Sequence, residues 1–252
     1  MHMSPFFAEM VGTAILILLG NGVVANVVLK GTKGHGAGWI VITFGWGMAV
    51  FVGVFCTAEF SSAHLNPAVT IAMAIGKKTL WKDVPSYILA QMIGAIVGAV
   101  LVYLFYRDHF NATDDPDLKM ACFCTSPAIP NYRTAFFCEM LGTFVLVFPI
   151  FLISSPWLPQ QTGGTKINIG LGTLGALPVG LLVFAIGMSL GGTTGYAINP
   201  ARDLGPRLAH AFLPIKGKRD GDWSYAWIPV VAPIVGGALA AAAARAITAA
   251  TP

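Results

Sequence analysis

Charge is what this chain has least of. Of its 252 residues only 10% are Asp, Glu, Lys or Arg, whereas 56% are apolar. An average soluble domain is roughly a quarter charged, so a soluble fold and a disordered segment are both excluded. Cysteine is scarce as well. Cys56 and Cys138 stand in apolar runs and Cys122 and Cys124 share one loop, which gives neither a disulfide framework nor metal-ligand spacing. The basic surplus is small, 15 Lys and Arg against 11 Asp and Glu, and scattered between apolar stretches. A solvated-loop pattern of this kind is no nucleic-acid surface. Met1 to Pro5 leads straight into an apolar run without a basic n-region, so no cleaved leader is expected.

What the chain has in quantity is apolar length, with 29 Gly and 16 Pro, both commoner in membrane helices than in soluble ones. Crossing a hydrocarbon layer takes about 20 mostly apolar residues. Six stretches qualify: Phe6 to Leu29, Trp39 to Thr57, Val84 to Tyr106, Tyr132 to Ile153, Leu174 to Leu190, and Trp223 to Ile247. Two shorter apolar pieces, Asn66 to Ile75 and Asn199 to Phe212, each begin with Asn-Pro. Proline suits the first helical turn because its missing N–H is one the helix leaves unpaired anyway. Both pieces therefore read as half-helices with a defined start.

The chain repeats itself. FFAEMVGTAILI from Phe6 matches FFCEMLGTFVLV from Phe136, and AHLNPAVT from Ala63 matches YAINPARD from Tyr196. The expected fold is an all-α membrane protein of six transmembrane helices plus two half-helices, one channel domain over residues 1–252. Its first repeat covers about 4–107, its second about 132–248, and residues 108–131 connect them. Three spans per half is an odd number, so the halves insert upside down relative to one another and the half-helix N-termini converge near the midplane. Lys77, Lys78, Lys82, Lys166 and Arg245 fall on the side of the termini. Lys30, Lys33, Arg107, Lys119, Arg133, Arg202, Arg207, Lys216, Lys218 and Arg219 fall on the other. By count alone the termini would face outward.

Irregular backbone at membrane depth is tolerated where it lines a wet cavity or is buried in protein. Ser62, Ala63, His64 and Leu65, with Gly195, Tyr196, Ala197 and Ile198, are thus expected to present a ladder of carbonyls to a water-filled path. Each half-helix start carries about half a positive elementary charge, and two facing one another repel cations. The amides of Asn66 and Asn199 add donors at the same place. Arg202 sits in the first turn of its half-helix, where a cation opposes the dipole. A charge so placed points to function.

Asn66-Pro67-Ala68 and Asn199-Pro200-Ala201, in register with an inverted repeat, resemble the paired signature of the aquaporin superfamily over nearly the whole chain. The resemblance implies that Glu9 and Glu139 hold the bent loops by accepting backbone N–H groups. It also implies a selectivity constriction at Trp46, Gly187, Tyr196 and Arg202, and a homotetramer with one pore per subunit. Glycine where water-selective members carry His, Asp203 after Arg202, and Pro229-Val230 at the start of the last helix resemble the glycerol facilitator, or aquaglyceroporin, branch. Tyr196 stands where that branch typically has Phe.

The expectation is a passive channel for glycerol and water that excludes ions and protons, with urea, dihydroxyacetone and protonated lactic acid as further solutes. No cofactor or nucleic acid is expected. The resemblance places the protein in the cell membrane with cytoplasmic termini, against the charge count. The rival readings are a water-selective channel and a secondary active transporter, the latter disfavoured because Glu9 and Glu139 are the only midmembrane carboxylates.

Overall fold

The structure is a computed structural model that describes residues 2–153, 157–159, 166–168 and 172–250. Helix α1 (Pro5–Val28) starts at Ser4, whose hydroxyl accepts the Phe7 N–H at 3.3 Å, with proline in the first turn. It is followed by α2 (Trp39–Ser61), the half-helix α3 (Pro67–Ile75) and α4 (Val84–Phe105). The second half repeats the order with α7 (Tyr132–Leu152), α8 (Leu177–Leu190), the half-helix α9 (Pro200–Phe212) and α10 (Ile228–Ala250). Between the halves lie two one-turn helices, α5 (Arg107–Ala112) and α6 (Pro116–Ala121), in a connection whose conformation the sequence did not reveal.

Among the described residues five helices are long and apolar enough to cross a membrane. The expected span from Leu174 to Leu190 departs from this. A 3-10 turn over Gly172–Ala176 precedes the 14-residue α8, because Pro178 belongs in a first helical turn and starts the α-helix there. Before it, strands β1 (Trp157–Pro159) and β2 (Lys166–Asn168) pair antiparallel, a feature no periodicity announced. The last span also begins later than expected, at Ile228 rather than Trp223. Successive turns closed by Tyr225 N–H to Asp222 C=O and Ile228 N–H to Tyr225 C=O precede Pro229.

Small residues set the packing. A Cβ on Gly94 of α4 would lie 2.2 Å from the Met10 carbonyl oxygen of α1, and one on Gly236 of α10 would lie 2.1 Å from that of Met140 on α7. Each half thus uses the same backbone-on-backbone contact, the device expected where lipid offers no hydrophobic drive to helix pairing. Gly98 repeats it one turn on, 2.6 Å from the Ala14 carbonyl oxygen, so the Gly94-x-x-x-Gly98 pattern is consumed inside the subunit. The outer surface is apolar: Ile40, Phe44, Leu104 and Phe105 are all exposed. Contiguous exposed apolar surface on this scale marks contact with lipid or another apolar partner.

Apart from buried residues such as Glu9, Glu139, Arg202, Asp203 and Arg207, the charged residues lie in the connections and near the helix ends. Lys30 pairs with Asp114 at 3.8 Å and Lys119 donates to the Lys216 carbonyl at one end. At the other, Arg245 donates to the Ile75 carbonyl and the Lys78 ammonium lies 4.9 Å from the Phe151 ring centroid.

Candidate functional site

The half-helices meet through their first residues. Asn66 caps α3, its side-chain oxygen accepting Ala68 N–H at 2.8 Å, and Asn199 caps α9, accepting Ala201 N–H at 3.0 Å and Arg202 N–H at 3.2 Å. Each Asn also reaches into the opposite repeat. Asn66 Nδ2 donates to the Ile198 carbonyl at 2.9 Å and Asn199 Nδ2 to the Leu65 carbonyl at 2.8 Å. An amide nitrogen has two hydrogens, so each retains one N–H while its oxygen is committed to its own helix. Toward anything else the pair is donor-only.

The approach loops are bent by left-handed residues at matched positions. Ser62, Ala63 and Leu65 have φ of 65°, 46° and 50°; Gly195, Tyr196 and Ile198 have 83°, 39° and 43°. Five of these six are not glycine, and each such residue costs about 1–3 kcal/mol. The buried carboxylates offset that cost. Glu9 accepts from Ser61 Oγ (2.7 Å), His64 N (2.8 Å), Leu65 N (2.8 Å) and Gln91 Nε2 (2.7 Å). Glu139 accepts from Thr194 Oγ1 (2.6 Å), Ala197 N (2.9 Å) and Ile198 N (2.8 Å). Hydrogen bonds to an ionised acceptor are worth roughly 1.5–3 kcal/mol each. The carboxylates are therefore the scaffolding of the strained loops.

A cavity of about 150 Å³ lies along these loops, some ten times what one water needs. Its lining combines apolar side chains, among them Leu16, Trp46, Val50, Val54, Val183, Leu146 and Ile150, with Asn66, Asn199, Arg202 and His64 and the loop residues Ser62, Ala63, Leu65, Tyr196, Ala197 and Ile198. Arg202 is buried, with its guanidinium carbon 4.2 Å from the Trp46 ring centroid, a cation–π arrangement. Its guanidinium donates to no acceptor among the described residues, so its N–H groups are available to whatever enters.

Not every expected residue reaches the wall. Gly195 lies behind it, where a Cβ would meet Thr125 at 3.2 Å. Gly187 is likewise behind: a Cβ there would be 2.8 Å from Tyr196 Cζ and 2.9 Å from its hydroxyl. The glycine is the seat of the tyrosine ring. The Tyr196 hydroxyl is buried without a hydrogen-bond partner among the described residues. Asp203 faces away from the cavity, accepting Thr125 N–H (2.8 Å), Thr125 Oγ1 (2.7 Å) and Arg207 Nε (2.8 Å). Arg207, fully buried beside it, ties in the carbonyls of Thr125, Gly221 and Asp222. The His64 ring lies 3.2 Å from Thr70 Oγ1 and packs on Tyr87 at 5.0 Å.

Two contributors were missed in the sequence. Gln91 bridges Glu9 and Thr70, the latter at 2.9 Å, and its only signal was a lone amide in an apolar run. Trp39 donates its indole N–H to the Gly187 carbonyl at 3.0 Å.

Half-helices whose caps cross between two repeats, and a cavity lined by apolar side chains and a buried cation with no acceptor among the described residues, define an integral membrane protein of the pore-forming, inverted-repeat class. The major intrinsic protein family model matches residues 2–243, and the chain belongs to that family. It is 55% identical over 239 residues to a Thermotoga maritima protein described as a "Probable glycerol uptake facilitator protein", covering 95% of this chain and 97% of that one. It is 52% identical to a glycerol uptake facilitator protein of Bacillus subtilis, covering 93% and 81%. The X-ray structure of the aquaglyceroporin from Plasmodium falciparum superposes with a TM-score of 0.78 at 34% identity, over 94% of this chain and 93% of that one.

Proposed function

We propose that this protein is a passive channel for glycerol and related small uncharged solutes, also conducting water and excluding ions and protons. The observation that carries the reading is Arg202: a buried guanidinium with no acceptor among the described residues, in a cavity lined otherwise mostly by apolar side chains. A linear polyol matches that asymmetry, its hydroxyls accepting from Arg202 and its carbon chain lying against Trp46 and Tyr196. The relatives named for glycerol support the same solute. Selectivity is assigned to Trp46, Gly187, Tyr196 and Arg202, with Gly187 acting through the ring it seats.

Proton exclusion follows from the donor-only pair. A water at Asn66 and Asn199 accepts from both, so its own hydrogens point away from the pair, which interrupts a proton wire. The half-helix dipoles and Arg202 oppose cations, the account already general for aquaporin-type channels. Urea, dihydroxyacetone and protonated lactic acid fit the same slot by size and neutrality. Uptake of labelled lactate that does not change with external pH removes the acid from that set. A homotetramer in the cell membrane, with cytoplasmic termini, completes the reading.

The test is stopped-flow light scattering on reconstituted liposomes challenged with sucrose and then glycerol. Fast shrinkage under both with rapid reswelling in glycerol alone is the expected result. Shrinkage without reswelling makes this a water-selective channel and refutes the solute assignment.

A further inference from the structure

Tyr196 forms part of the wall, yet nothing polar holds its ring. Its hydroxyl has no partner among the described residues, and its backbone lies in the left-handed region at φ 39°. What fixes the ring is packing from two directions. On one side are Gly187 of α8 and Gly191, which caps that helix: a Cβ on Gly187 would be 2.8 Å from Cζ, and one on Gly191 would be 2.4 Å from Cδ1. On the other is Trp39, the first residue of α2, edge-on to Tyr196 with centroids 5.9 Å apart and planes at 79°. Trp39 is itself pinned to α8. Its indole N–H bonds the Gly187 carbonyl at 3.0 Å, and its Cζ2 would be 2.9 Å from a Cβ on Gly191.

We infer that Trp39, outside the cavity wall, is a positioning residue for solute selectivity, clamping the Tyr196 ring against Gly187 and Gly191 and thereby setting the width of the slot. The inference rests on the solute-channel reading above. Removing the indole takes away one of the two surfaces confining the ring and opens space beside it, away from the cavity. Longer polyols then gain more than glycerol. An edge-to-face aromatic contact converts to a change of about fivefold in a discrimination ratio.

The experiment measures water, glycerol and erythritol permeability in liposomes for wild type, Trp39→Ala, Trp39→Phe, Tyr196→Ala and the Trp39→Ala/Tyr196→Ala double variant. Trp39→Ala is expected to lower the glycerol-to-erythritol ratio about fivefold. Trp39→Phe, which restores a ring edge without the donor, is expected to return it to within about twofold of wild type. In the Tyr196→Ala background Trp39→Ala is expected to add nothing, since coupling requires both partners. An unchanged ratio, or an equal fall in both backgrounds, overturns the inference. Should Trp39→Ala fail to insert, Trp39→Leu replaces it, filling the volume without ring edge or donor. A wild type that passes water and no polyol refutes the proposed function instead. The same cycle is then decided on water permeability, which Trp39→Ala must alter with Tyr196 present and leave unaltered without it.

Discussion

Replacing Glu9 by Gln tests the claim that buried carboxylates hold the strained loops. The carboxylate meets four donors: Ser61 Oγ, His64 N, Leu65 N and Gln91 Nε2. A glutamine oxygen in place of Oε1 keeps the first two, while its NH₂ confronts the others. Flipping the Gln91 amide is no escape: its Oε1 would accept the new NH₂, but its Nε2 would give up Thr70 Oγ1 and take a place where Oε1 has no partner among the described residues. The Leu65 N–H and a glutamine amide are thus both left unpaired. Each buried unsatisfied donor costs about 1–3 kcal/mol. At about 2–4 °C per kcal/mol for a chain near this size, Tm is expected to fall by roughly 4–24 °C. The assay is thermal unfolding of purified protein followed by tryptophan fluorescence. The reasoning fails if Glu9→Gln leaves Tm within 1 °C of wild type.

Tyr196→Phe removes a hydroxyl with no partner among the described residues, so stability should hold or rise by about 1 kcal/mol. Liposome assays should show water flux roughly intact and higher flux of larger polyols; unchanged ratios remove the hydroxyl from selectivity. Gly94→Ala drives a methyl to 2.2 Å from the Met10 oxygen whereas Gly22→Ala meets nothing within 4 Å. The first should cost about 1–3 kcal/mol or more and the second should be neutral, read by unfolding in detergent. Cys122 and Cys124 are buried in the connecting segment, where burial pushes both thiols up, Cys124 to about 12. Because the thiolate is the reactive form, both should resist maleimide from pH 7 to 9 until the protein is unfolded, as mass spectrometry of labelled peptides will show.

The repeat and its half-helices were legible because they are written locally. Asn-Pro fixes a cap and a first turn at one place in the chain, and a copied segment reports itself by likeness. The Glu pair was legible only through the resemblance, since its donors lie 52 to 82 residues away for Glu9 and 55 to 59 for Glu139. Gln91, Trp39 and the Asp203–Arg207–Thr125 cluster escaped for the same reason. Each acts across helices, through distances that hydropathy does not encode. Gly187 shows the same limit in another form: its type alone does not say that the Tyr196 ring packs against it.

The crossed amides of Asn66 and Asn199 have a consequence for how the protein is made. Each loop is completed by a carbonyl and a donor from the other, so neither half can finish alone. A chain elongating at about 5–20 residues per second reaches Asn199 roughly 7 to 27 s after Asn66. Through that interval the first half sits in the bilayer with its asparagine and the Leu65 carbonyl awaiting partners not yet synthesised. Slow translation between the repeats lengthens exposure of that unpaired pair. Assembly of this pore is a matter of timing as much as of sequence.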